Sequence, residues 1–180
     1  MAMTVPPEIV AALTGRPQVG SWEPMFPLLT IDEAGFPHVC MLSRAELKAD
    51  ENRIYAALAS QTTVGNIRRR PTATLVVIGD DCAHYAKLTA VHVAASALAA
   101  VVFEVNSSAR DSLAIPLMPP RYLVTSSLPV AEAWAQSAEL LSSLIEHVGG
   151  NRTTGPETPG QNMVLLTGNW RAPACAVYIA

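Results

Sequence analysis

Charge is scarce in this chain. Only 15% of its 180 residues are Asp, Glu, Lys or Arg, half are hydrophobic, and the formal net charge is −3. A slightly acidic chain lacks the electrostatic footprint of a nucleic-acid binder. Its one basic cluster, Arg68-Arg69-Arg70, is too short to follow a phosphate backbone. Cysteine is scarce too: Cys40, Cys82 and Cys175 are an odd, scattered set without Cys-x-x-Cys spacing. They read as buried thiols in a reducing cytoplasm, not as a disulfide framework or a zinc site. His84 and His92 have no ligand-like neighbours in sequence, so no metal is expected. Long apolar runs are missing. The longest, Ala90 to Val105, is interrupted by His92, Ser96 and Glu104 and is too short and polar to span a bilayer. Met1 to Pro7 carries neither the basic region nor the apolar run of a signal peptide. The expectation is a cytoplasmic protein with no nucleic-acid or membrane partner.

What is present is enough apolar sequence for one domain over residues 1–180, with some to spare. A hydrophobic fraction of 50% in a chain this small points to a buried interface between copies. A homodimer burying more than about 2,000 Å² is expected, the range of obligate pairs.

Turn signals divide the chain into short segments. Pro6 to Leu13 reads as a helix with Pro at its start and Gly15 past its end. Pro24 to Ile31 and Phe36 to Ser43 read as a hairpin around Asp32-Glu33-Ala34-Gly35. Arg53 to Ala59 and the β-branched run Thr72 to Gly79 are strands on either side of a helix at 62–70. His84 to Ser96 and Leu98 to Asn106 form an antiparallel pair, and Arg110 to Leu117 is a further extended segment. Pro129 to Val148 reads as one long helix with Trp134, Ala138, Leu141, Ile145 and Val148 on a buried stripe. Met163 to Thr167 and Ala174 to Ile179 are weaker strand candidates. Tight turns between strands, without crossover helices, predict a mainly β (α+β) fold, a β-barrel with added helices.

Chemistry concentrates at Ser60-Gln61-Thr62-Thr63-Val64-Gly65-Asn66-Ile67-Arg68-Arg69-Arg70-Pro71. Hydroxyl residues stand where the helix begins. A helix start offers unpaired N–H groups and a partial positive charge, which suit a phosphate. Ser and Thr are also ordinary N-caps, and Arg is an ordinary last-turn residue.

Together these pieces resemble the pyridoxamine 5′-phosphate oxidase-like, FMN-binding split-barrel family. The resemblance is carried by Gly35 to Ser43, Asp50 to Tyr55, Ser60-Gln61-Thr62 with Asn66 to Pro71, Thr72 to Val77 and His84 to Val91, in that order, within about residues 24 to 105. It implies a six-stranded antiparallel split barrel with flanking helices, and a homodimer with two FMN sites between the subunits. It further implies that Ser60, Gln61, Thr62 and Asn66 hold the FMN phosphate. Met41, Leu42 and Ser43 would run along the flavin and ribityl chain, and Tyr85 or Lys87 would stand near the ring. Where the oxidases carry Arg and Lys at the ends of the second strand, this chain has His38 and Ser43. Where they carry an Arg-Lys pair after the phosphate-loop serine, it has Gln61-Thr62. The arginine cluster that holds the substrate phosphate in the true oxidases is missing, so vitamin B6 oxidation is not implied.

The function this resemblance implies is an FMN-dependent oxidoreductase acting on a small molecule or a nicotinamide electron donor. The other reading is a dimer that binds a flavin, haem or deazaflavin without turnover. Each site residue also has a plainer account. Lys87 fits a solvated strand lysine, His38 an edge-strand histidine beside a turn, and Trp170 with Arg171 either a reach across the dimer or packing on their own barrel. No nucleophile with an oriented base is visible, and Cys40 sits mid-strand in apolar surroundings. That suits a protein whose cofactor would carry the chemistry.

Overall fold

The computed structural model describes residues 3–150, apart from 80, 95 and 113. Among these described residues, nine strands and four helices follow one another. They are α1 (Pro7–Leu13), β1 (Trp22–Pro24), β2 (Phe26–Ile31), β3 (Pro37–Leu42), β4 (Leu47–Ala49), β5 (Arg53–Leu58), α2 (Gln61–Arg69), β6 (Thr72–Ile78), β7 (Ala83–Ala94), β8 (Ala99–Asp111), β9 (Arg121–Leu123), α3 (Leu128–Ala131) and α4 (Trp134–Gly150). Seven strands form one antiparallel sheet in the order β3-β2-β6-β7-β8-β5-β4. Among the described residues the sheet curls without closing, and β3 and β4 are its edges. This is the expected split barrel with seven strands instead of six. The extra strand is β4, three residues paired to β5.

Alternation builds the core. Phe26, Leu28 and Thr30 of β2 are buried while Pro27, Leu29 and Ile31 are half-buried. Ala73, Leu75 and Val77 of β6 point the same way as that inward row. They meet Ile54, Leu58, Leu88, Val101, Phe103 and Val105 inside the curl. Val5, Ile9 and Leu13 join this cluster from α1 and the segment before it. Gly35 takes φ +90° in the β2–β3 turn, where its backbone N–H donates to Asp32 O.

Three expectations change. The strand expected from Pro24 begins at Phe26, because Pro24 belongs to β1, which pairs with β9 in a separate two-stranded sheet. The long helix breaks into α3 and α4 at Ala133, whose φ of 51° no helix can contain. The extended segment expected from Arg110 to Leu117 is only the end of β8, with no strand among the described residues of 112–120. In α4, Ser137, Leu141 and Leu144 are buried, and the two leucines carry the apolar contact. Leu141 and Leu144 pack with Tyr55, Ala57, Ala100 and Val102 on the outer side of β5 and β8, with Ile145 and Val148 beside them. Cys82 is buried and Cys40 half-buried. Among the described residues no helix is long and apolar enough to cross a membrane. The strand candidates after residue 150, Trp170 with Arg171, and Cys175 lie outside the described residues.

Candidate functional site

The residues singled out by sequence fall into three groups. The first is the start of α2. Ser60 is its N-cap, in extended conformation, and its side chain accepts from the Thr63 backbone N–H at 3.3 Å. Gln61 and Thr62 are exposed beside it. Gln61 Nε2 donates to Ala97 O at 3.2 Å, which ties the helix start to the β7–β8 turn. Asn66 is buried one turn on, donating from Nδ2 to Thr30 Oγ1 at 3.0 Å. Its Oδ1 accepts from Arg69 Nη2 at 2.7 Å. Both ends of the Asn66 amide therefore work within the chain, beneath the helix start.

Alternation on β2 and β3 explains why α2 lies where it does. Thr30 and His38 are cross-strand partners, and both face the helix. Thr30 meets Asn66, and His38 Nε2 lies 3.1 Å from Thr63 Oγ1. Thr63 and Asn66 are three apart and so share a helix face. A buried polar seam thus fastens α2 to the free edge of the barrel. From sequence, His38 reads first as an edge-strand histidine beside a turn, and its partner Thr63 appears only in the structure. The signal was available in the β3 pattern, which puts His38, Cys40 and Leu42 on one face.

The second group lies on the outer face of β3-β2-β6-β7. Register sets Lys87 opposite Thr74, Thr74 opposite Leu29, and Leu29 opposite Val39. Tyr85 and Met41 are two residues along from Lys87 and Val39, on the same face. Lys87 Nζ donates to Thr74 Oγ1 at 3.1 Å. A groove of about 420 Å³ runs here, lined by Leu29, Ile31, Pro37, Thr74, Lys87 and Asn106. Val39 and Met41 are exposed at its β3 side, so the face is apolar and uncovered among the described residues.

The third group is turned inward. Leu42 is buried in the core, opposite Phe26. Ser43 is buried and donates from its backbone N–H and its hydroxyl to Glu46 Oε2. Burial pushes the Glu46 carboxyl up to about 7 against those two hydrogen bonds, and the charge of Glu132 adds to the rise. Nearby, burial pushes the Tyr122 phenol up to about 12. Arg44 pairs with Glu23 at 3.5 Å. A larger cleft of about 530 Å³ opens at this end beside Trp22, Glu23, Arg44 and Arg121. It contains none of the nine residues chosen from sequence.

An FMN phosphate needs donors and positive charge. The α2 start supplies the Thr62 hydroxyl, the N–H groups of Gln61 and Thr62, and the helix dipole. Arg68 and Arg69 stand at the other end of a nine-residue helix, about 12 Å away at 1.5 Å per residue. Arg69 folds back only as far as Asn66. The donor set fits a phosphate. Its full charge would need a cation from beyond α2. Among the described residues no group of three His, Cys, Asp or Glu side chains could hold a metal ion.

No protein-family description matches the chain, and no curated protein matches it. Solved structures do. One is an FMN-binding protein from Syntrophomonas wolfei subsp. wolfei, at 12% identity over 49% of this chain and 77% of that one, with a TM-score of 0.41. A second is a Clostridium acetobutylicum protein related to general stress protein 26, described as of the pyridoxine phosphate oxidase family. It is 10% identical over 56% of this chain and 85% of its own, with a TM-score of 0.43. A third is flavoredoxin of Desulfovibrio vulgaris (Miyazaki F), at 12% identity over 62% and 92%, with a TM-score of 0.43.

Proposed function

We propose that this chain is a homodimeric flavin-binding oxidoreductase whose FMN phosphate sits at the start of α2. The observation that carries the reading is the helix start itself. An N-capped α2 is fixed by a buried polar seam at the open edge of a split barrel, with free N–H groups and hydroxyls toward solvent. The apolar face bearing Met41, Tyr85 and Lys87 is the second support. A second copy covering that face would bury it and would bring in the cation that the phosphate lacks. Lys87 would stand near the flavin ring, where a positive charge favours the reduced, anionic form.

Bound there, FMN would supply hydride and electron chemistry, and the chain would position it. Ser60, Gln61 and Thr62 would orient the phosphate end, and the outer sheet face would exclude water from the ring. A dimer that binds its flavin without turnover uses the same residues.

The test begins with the visible spectrum of the purified protein and titration with FMN. Flavin bands and micromolar or tighter binding support the reading. A Soret band, or no binding, defeats it. Stopped-flow mixing of the FMN complex with NADH or NADPH then separates an oxidoreductase from a carrier.

A further inference from the structure

The α2 start contains a chain of hydroxyl groups whose proton positions can be counted. Ser60 Oγ accepts from the Thr63 N–H at 3.3 Å and from the Thr63 hydroxyl at 2.9 Å. A hydroxyl has two lone pairs and one proton. Both lone pairs of Ser60 are therefore taken, and its proton is left to donate. Among the described residues no acceptor meets it. Thr63, having given its proton to Ser60, can only accept from His38 Nε2 at 3.1 Å. That arrangement calls for the imidazole proton on Nε2. Thr63 is fully buried, so water does not substitute for His38.

We propose that His38 is a positioning residue for phosphate binding: through Thr63 it holds the Ser60 hydroxyl as an outward donor. The proposal rests on the reading that a phosphate sits at the α2 start. With the other tautomer, Thr63 would donate to His38. Ser60 would then lose the Thr63 proton that fixes its orientation, and its own proton would be free to turn away from the anion. His38 would never touch the ligand, yet it would set which face of Ser60 the ligand meets.

Two measurements on the full chain test this. Long-range proton–nitrogen NMR of the His38 ring, without ligand, is expected to show the Nε2–H tautomer, and the Nδ1–H tautomer would overturn the proposal. FMN and riboflavin affinities are then compared across His38→Leu, His38→Gln and Thr62→Ala. His38→Leu is expected to weaken FMN about tenfold, the loss of one favourable contact to a charged group. His38→Gln, which keeps a donor, is expected to restore most of that loss. Riboflavin, lacking the phosphate, is expected to bind all variants alike. If Thr62→Ala weakens FMN and His38→Leu does not, the phosphate site stands and the role of His38 falls. If none of the variants changes the ratio of FMN to riboflavin affinity, the site at α2 is wrong and the proposal falls with it. Should His38→Leu fail to fold, the tautomer measurement and His38→Gln still decide.

Discussion

Ser43 donates to a single oxygen of Glu46 twice, from its backbone N–H at 2.9 Å and from its hydroxyl at 2.8 Å. Two such bonds ordinarily hold a carboxylate ionised. Here burial outweighs them, and Glu46 rises from an ordinary 4.5 to about 7. The folded chain therefore binds a proton at Glu46 that the unfolded chain has released anywhere between those values. Stability falls as pH rises from about 4.5 to 7 and levels off above. The span is about 3 kcal/mol, from a shift of about 2.5 units at 1.36 kcal/mol each. Urea unfolding at pH 5 and pH 8 checks it. Glu46→Gln is expected to flatten this part of the profile, and an unchanged slope in that variant would assign it to another group.

Local chemistry and alternation carried most of the fold into the sequence. The hairpin around Gly35, the run Thr72–Ile78 and the cap at Ser60 each announce themselves within a few residues. What stayed hidden is non-local or too short to show a period. Leu47–Ala49 is three residues long, and Trp22–Pro24 finds its partner at residues 121–123, about a hundred positions away. The break before α4 falls at Ala133, a residue with no turn preference, so tertiary packing decides it. At the site, the capping hydroxyls were legible. The seam from His38 to Thr63 and Thr30 to Asn66 was not, because it joins positions 25 and 36 residues apart.

Ser60 caps α2 as well as lying beside the proposed phosphate, so its loss has two effects. Ser60→Ala is expected to cost about 1 kcal/mol of apoprotein stability, the usual worth of an N-cap. The double change Ser60→Ala with Thr62→Ala is expected to weaken FMN binding ten- to a hundredfold. Thr62 is exposed and makes no cap, so Thr62→Ala alone separates the roles. It is expected to leave the melting temperature of the apoprotein within a degree or so while still lowering FMN affinity. Equal affinity for FMN in wild type and Thr62→Ala, by fluorescence titration, would leave this residue no part in the site.

The apolar outer face of β3 carries the dimer expectation. Val39 and Met41 are 50% and 42% exposed on the same side of an edge strand. A carboxylate buried there against a second copy would have to give up its hydration. Met41→Asp is therefore expected to yield monomers in multi-angle light scattering at micromolar concentration, with the far-ultraviolet circular dichroism of the barrel unchanged. A wild-type chain that is already monomeric would refute the interface.

Thr30 and Asn66 meet in the core, with 1% and 2% of their surface exposed. The bond between them, 3.0 Å from Asn66 Nδ2 to Thr30 Oγ1, joins β2 to α2. Removing one partner strands the other. Thr30→Val keeps the shape but leaves the Asn66 amide without its acceptor, which costs about 1–3 kcal/mol. Asn66→Leu strands the Thr30 hydroxyl and frees Arg69 from its contact, a loss of similar size. The double variant removes both polar groups from one apolar site. It is expected to be more stable than the sum of the single losses predicts, by about 1 kcal/mol or more, because neighbours in contact do not add. Denaturant unfolding of the four proteins gives the coupling directly. Additive losses would mean that the two side chains do not hold each other, and that packing alone seats α2 on the barrel edge.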